Sequence, residues 1–263
     1  MHVMLAQYRR AMTRRNYAPG TIDKRISEVR AWLDYAGDGW VTAGRADIEA
    51  SLDRRSLSAR SRYASISHLH SFYKWAQREG FAAHDPTALI ERPRLPAPLP
   101  RPMPELAVEV ALTTATGEIR TMVALMAWAG LRCCEVAALD WTDVDLIARK
   151  MHVTGKGSRD RVIAISPRLR AELAALEGSS GPVIGRVCTP CRVSQLVNEH
   201  LRACGIERHT AHSFRHRKLT HLCDQTGDVL AVQHYAGHAS VATTQMYVQV
   251  SDERMRRLGD LDD

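Results

Sequence analysis

The sequence predicts a mainly α fold with a small antiparallel β-sheet, divided into a four-helix N-terminal domain and an α+β C-terminal domain. Three observations lead there. Apolar residues recur at helical spacing through residues 1–91. Six of the 11 prolines fall within residues 92–104, a stretch that can be neither helix nor central strand. Two short strand-like runs flank the turn Thr154-Gly155-Lys156-Gly157-Ser158.

In the first domain, residues 3–12 read as one helix. Thr21 opens a second, with Ile22, Ile26, Val29 and Leu33 at helical spacing. Residues 47–52 form a short third. Ser58 caps a fourth that runs to about Glu79, with a core stripe of Ile66, Leu69, Tyr73 and Ala76. The other side of that helix carries Arg60, Ser67, Ser71, Lys74 and Arg78, which stack along one face. A basic, hydroxyl-rich face suits a DNA groove and its phosphates.

Residues 92–104 read as an extended linker reaching ~40 Å at ~3.1 Å per residue. That reach lets two domains occupy different faces of a duplex. In the second domain, residues 105–263, helices are expected at 103–114, 118–129, 167–176, 192–203, 213–225, 229–235 and 241–248. Strands are expected at 142–146, 150–153 and 161–165.

Composition narrows the function. The chain has 263 residues, 45% hydrophobic and 25% charged, so it can build an ordinary core. Its longest apolar run, residues 122–131, is too short for a membrane span of ~20 residues. With no signal-like start, a cytoplasmic chain without a membrane partner is expected, in a bacterial cell or a phage-infected host. Residues 1–104 hold 17 basic and 10 acidic side chains (17 − 10 = +7), while residues 105–263 hold 19 of each (19 − 19 = 0). The whole formal excess lies in the first part, where it favours a polyanion.

Six cysteines in a chain of this kind point to small buried thiols rather than disulfides. Cys188, Cys191, His200 and Cys204 have some zinc-like spacing but lack a second paired motif. His209, His212 and His216 lie close together without a carboxylate motif. No metal site is expected.

The segment His212-Ser-Phe-Arg215 places an imidazole and a guanidinium on one face at the start of a helix, where an anion is welcome. Ala236-Gly-His238 lies beyond it, and Tyr247 stands nine residues after His238. Upstream are Gly130-Leu-Arg132-Cys-Cys-Glu135 and, at the hairpin tip, Lys156. This set resembles the tyrosine recombinase (phage integrase) family, which includes the Xer and Cre recombinases. In that family an Arg follows Gly-Leu, a Lys lies in a β-hairpin and His-x-x-Arg opens a helix. A His or Trp follows, and then the Tyr nucleophile. The resemblance extends over nearly the whole chain, since the helical basic domain and proline-rich segment match a SAM-like core-binding domain and its connection. Cys133-Cys134 and Ser158-Arg-Asp-Arg161 depart from the usual pattern.

The resemblance implies a site-specific recombinase or integrase that needs neither cofactor nor metal. Tyr247 would form a 3′-phosphotyrosine. Arg132 and Arg215 would grip the non-bridging oxygens, and His212 and His238 would hydrogen-bond or move a proton. Lys156 would protonate the leaving 5′ oxygen, and Glu135 would orient Arg132. The implied partner is double-stranded DNA bearing specific recombination sites, held by a homotetramer, with room for accessory or directionality factors. A Xer-type chromosome-dimer resolvase, a type IB topoisomerase-like nicking-closing enzyme and a catalytically silent DNA-binding protein stay open as alternatives.

Overall fold

In a computed structural model the described residues are 2–95, 103–155, 160–176 and 180–237. The chain separates into two compact units, Met1–Pro98 and Leu99–Asp263. The division falls within residues 92–104, yet Met103 from that stretch is buried in the core of the second unit.

The first unit holds α1 (His2–Arg14), α2 (Pro19–Ala36), α3 (Arg45–Asp53) and α4 (Ala59–Arg78), with a 3-10 turn at Gly37–Val41. Helix α2 begins two residues before Thr21. Pro19 occupies its first turn, where a fixed φ and a missing N–H cost nothing. Ser58 caps α4 as its sequence suggests, its hydroxyl accepting from the Ser61 amide at 3.2 Å. The stripe Ile66, Leu69, Tyr73 and Ala76 is buried, and Phe72 and Trp75 are buried beside it. This core is aromatic. Trp32 Nε1 donates to the Tyr73 hydroxyl at 2.9 Å, which in turn donates to the Trp40 carbonyl at 2.9 Å. Burial, more than anything else, pushes the Tyr73 phenol well above its ordinary range.

The second unit begins with α5 (Glu105–Thr114), α6 (Gly117–Ala129) and α7 (Cys133–Ala138). A three-stranded antiparallel sheet follows, in the order β1 (Val144–Asp145), β2 (Lys150–Thr154), β3 (Asp160–Ala164). Then come α8 (Pro167–Ala174), α9 (Pro190–Ala203), α10 (Ala211–Thr226) and α11 (Val229–Ala236). Helix α6 is the centre of this unit, with every residue from 121 to 127 buried. A helix apolar on all sides belongs inside a core.

Several sequence expectations need correction. The strand expected at 142–146 is mostly a 3-10 turn, Trp141–Asp143, followed by the two residues of β1. Asp140 accepts from the Thr142 amide at 3.0 Å, and Asp143 reaches back to the Asp140 amide at 3.2 Å. Those side-chain bonds favour a tight turn over a ladder. The helix expected from residue 103 starts at Glu105, because Pro104 is its N-cap. Helix α8 stops at Ala174, α9 starts at Pro190 and α10 starts at Ala211. Helix α7 was not anticipated. Of the six cysteines only Cys223 is buried, and Cys134 and Cys191 are exposed. The expected helix at 241–248 lies outside the described residues.

Candidate functional site

The site is built on helix ends. Gly130 and Gly237 close α6 and α11 in the left-handed conformation, with φ of 67° and 62°. Each exposes helix-terminal carbonyls that need donors. Arg215, the fifth residue of α10, supplies two of them. Its Nη1 donates to the Gly130 carbonyl at 2.6 Å and its Nη2 to the Ala236 carbonyl at 2.6 Å. Only 1% of Arg215 is exposed. The sequence foresaw its position on α10 but not that it braces two helix ends.

Just past Gly130, Arg132 is the N-cap residue of α7 and Glu135 is the third residue in. The Glu135 carboxylate turns back to the cap: Oε2 accepts from the Arg132 amide at 2.9 Å and Oε1 from Arg132 Nη1 at 2.7 Å. A second guanidinium grips the same carboxylate. Arg161 Nη1 donates to Oε1 and Nη2 to Oε2, both at 2.9 Å. Arg215 Nη1 stands 3.8 Å from Oε2. Three arginines thus surround one carboxylate, leaving an excess of two positive charges (3 − 1). Burial pulls the Glu135 pKa upward, but hydrogen bonds from Arg161 and the Arg132 amide outweigh it, and the carboxyl is held below its ordinary range.

Arg161 was not among the residues singled out, although a signal for it was present. Strand β3 alternates exposed and buried residues, and Arg161 shares its inward face with Ile163. A charged residue in phase with the apolar face of a strand must find a partner inside. Its Nε also donates to the Tyr235 carbonyl at 2.8 Å. A Cβ on Gly237 would stand 3.2 Å from the Arg161 side chain, a tight contact, and the φ of 62° there favours glycine.

His212 lies in the first turn of α10, beside His216, with ring centroids 5.1 Å apart and nearly perpendicular. Part of the residue meets solvent. Even so, the protein around the ring, then the charges near it from His216, Arg215 and Arg132, hold its pKa below the ordinary value. Arg132, Glu135, His212 and Arg215 are therefore brought together. Lys156, His238 and Tyr247 lie outside the described residues.

The candidate DNA face of α4 is mixed. Arg60, Lys74 and Arg78 are exposed. Ser67 instead donates to the Tyr63 carbonyl at 2.9 Å, and Ser71 receives Arg25 at 2.9 Å and Tyr8 at 3.2 Å. Ser67 thus spends its proton inside the unit and Ser71 is tied there as an acceptor, while the cationic residues carry the charge this face offers to a phosphate. A groove beside them is lined by Arg15, Tyr17, His70 and Gln77, with the Arg25 guanidinium 4.6 Å from the Tyr17 ring centre. Among the described residues no group of three or more His, Cys, Asp or Glu side chains is placed to hold a metal ion, and no helix is long and apolar enough to cross a membrane. His200 Nε2 lies 2.8 Å from the Ala111 carbonyl oxygen and 3.7 Å from Cys204 Sγ.

Sequence comparison agrees with this architecture. Residues 4–80 match the phage integrase N-terminal SAM-like domain, and residues 105–183 and 184–254 match the phage integrase family. The chain belongs to the tyrosine recombinase (phage integrase) family, whose members act in DNA recombination and integration. It is 33% identical over 264 residues to the tyrosine recombinase XerD of Xanthomonas axonopodis pv. citri, covering 89% of this chain and 87% of that protein. The integrase of mycobacterium phage Brujita is 28% identical, covering 95% of this chain and 89% of that one, with a TM-score of 0.51. A lambda integrase dimer bound to a COC′ core site superposes with a TM-score of 0.75 over 96% of both chains, at 18% identity, a likeness of fold alone.

Proposed function

We propose that this chain is a site-specific recombinase or integrase that cuts and rejoins DNA strands through a covalent 3′-phosphotyrosine at Tyr247. The observation that carries this reading is the buried excess of two positive charges around Glu135. A phosphoryl group under attack gathers negative charge on its non-bridging oxygens, and fixed guanidiniums stabilise it without reorganising. Arg132, whose side chain is 27% exposed, is the member of the cluster that meets solvent.

The steps balance without an outside reagent. The Tyr247 hydroxyl oxygen forms a bond to phosphorus and gives its proton to His212. The depressed pKa of His212 keeps it neutral near neutral pH, the state that can accept a proton. The bond from phosphorus to the 5′ oxygen breaks, and Lys156 protonates that oxygen. His238 hydrogen-bonds the phosphate. Rejoining runs the same steps in reverse, so the bond energy is conserved and no nucleotide is consumed. Arginine, lysine and histidine supply the charge neutralisation, so cleavage should persist in the presence of a chelator.

The partner is double-stranded DNA with specific sites. Arg60, Lys74 and Arg78 of the first unit contact phosphates, and four subunits assemble on two duplexes. Tyr247→Phe on a nicked suicide duplex tests the core of this reading. The variant should bind DNA as before and form no covalent adduct, and an adduct formed by it would sink the assignment. Dependence of product on two sites separates strand exchange from topoisomerase-like nicking and closing.

A further inference from the structure

Arg161 is a buried cation to which the reaction above gives no task. Its side chain is 3% exposed, it faces inward from β3, and three of its nitrogens are engaged. Its grip on Glu135 is a planar two-bond fork, the geometry that makes guanidinium–carboxylate pairs strong and directional. Arg132, by contrast, meets the same carboxylate through a single side-chain nitrogen.

That asymmetry has a physical consequence. A carboxylate can hold one guanidinium fork squarely. With Arg161 in that place, Arg132 is steered by one bond and keeps its other N–H groups for something else. Without Arg161, Glu135 is a buried anion whose nearest cations are Arg132 and Arg215, the latter at 3.8 Å. Either guanidinium can then turn its fork onto the carboxylate, which withdraws it from a phosphate.

We propose that Arg161 is a positioning residue. By occupying both oxygens of Glu135 it holds Arg132 and Arg215 in the orientation that accepts a scissile phosphate, and it ties the start of β3 to that orientation. Arg161 bonds α7 through Glu135 and α11 through the Tyr235 carbonyl. One side chain thus links β3 to the arginine cluster and to α11. The Gly237 corner, which leads into His238, packs directly on it. This inference rests on the strand-cleavage reading above.

The test is single-turnover cleavage by the full chain on a nicked suicide duplex, carrying the sequence that the unmutated chain enriches from a randomised duplex pool. Absence of adduct from the unmutated chain would overturn the strand-cleavage reading, and this inference with it. Once adduct forms, the variants bear on Arg161 alone. Arg161→Gln should lower the rate at saturating DNA ~10²-fold, the scale of a small misplacement of a reacting group. The half-saturating DNA concentration should stay within about threefold, because most affinity comes from phosphate contacts elsewhere. In a Glu135→Gln background the same substitution should cost less than about threefold, because the two residues act as one unit. Arg161→Lys should recover part of the rate. Near-UV circular dichroism checks that each variant folds. If Arg161→Gln does not fold, Arg161→Lys, which keeps the charge, carries the comparison in both backgrounds. An unchanged rate, equal losses in the two backgrounds, or an effect confined to DNA affinity would overturn the proposal.

Discussion

In the first unit the ion pairs Arg9 with Asp23 and Arg45 with Glu49 lie in solvent, and the interior is a packed set of aromatic rings around Phe72. In the second unit the core of α6 is aliphatic, and beside surface pairs such as Arg186 with Glu118 one charge cluster lies inside, with the Glu135 side chain 0% exposed among arginines. Each arrangement suits its task. Surface cations can follow a flexible polyanion and be screened or replaced singly. Charges buried in low dielectric act strongly on a reacting group but tolerate no loss of a partner. The same residue types therefore have very different energetic weight in the two halves of one chain.

The largest effect should come from breaking the buried cluster. Glu135→Ala leaves Arg161 and Arg215 without their carboxylate, and removing one partner of a buried pair costs ~3–5 kcal/mol. A urea titration should show that loss in the second unit. In the first unit the sharpest comparable change is Tyr73→Phe. It deletes the hydroxyl that joins Trp32 to the Trp40 carbonyl, and a buried donor left unmet costs ~1–3 kcal/mol. Removing an exposed pair, as in Arg45→Ala, should cost less than ~1 kcal/mol. A cost for Arg45→Ala equal to that for Glu135→Ala would end the comparison.

Acid should reach the second unit's site in two stages. His212 and His216 have folded pKa values below their ordinary ones, so they contribute stability that is complete above ~6.5 and declines as pH falls below it. Glu135, also depressed, contributes stability present above ~4.3 and lost as pH falls through its folded pKa. The urea midpoint of the second unit should therefore fall below pH ~6.5, and His212→Gln should flatten the first stage. A midpoint constant from neutrality to pH ~5 would contradict these directions.

The smallest expected effects concern DNA. If the exposed cations of α4 meet phosphates, Lys74→Ala and Arg78→Ala should each reduce the log–log salt slope of binding by ~0.9. Ser71→Ala should leave that slope alone and instead lower stability slightly, because its hydroxyl receives Arg25 and Tyr8. A loss of DNA affinity from Ser71→Ala with the slope and stability unchanged would restore it as a direct DNA contact.

Much of the fold can be read directly from the sequence where local chemistry decides. The Ser58 cap and the stripe from Ile66 to Ala76 needed only hydroxyl geometry and helical period. The reading failed where the deciding contact was unusual or distant. Thr21 looks like a cap, but Pro19 already satisfies the first turn of α2. Residues 142–146 alternate like a strand, but the Asp140 carboxylate takes the Thr142 amide and the Asp143 carboxylate takes the Asp140 amide. Helix α7 has six residues, too few to show a period. For the site, sequence spacing locates Arg132, Glu135, His212 and Arg215. It says nothing of the Gly130 and Ala236 carbonyls that hold Arg215, because these come from helix ends 85 and 21 residues away. Arg161 was passed over because arginine on a short strand is usually turned outward, yet its phase with Ile163 marks it as inward.

The aromatic core of the first unit also gives the protein an uneven optical signature. Trp32, Trp40 and Trp75 lie in that unit, and Trp128 and Trp141 in the other. Trp32 and Trp75 are almost wholly shielded, and Trp32 and Trp40 are both bonded to the Tyr73 hydroxyl. Emission from the intact chain is thus weighted toward the half that carries the formal charge excess. A shift in tryptophan colour on mixing with duplex DNA should report chiefly on the N-terminal unit. Events around Glu135 are left to Trp128 and Trp141, the two tryptophans of the second unit.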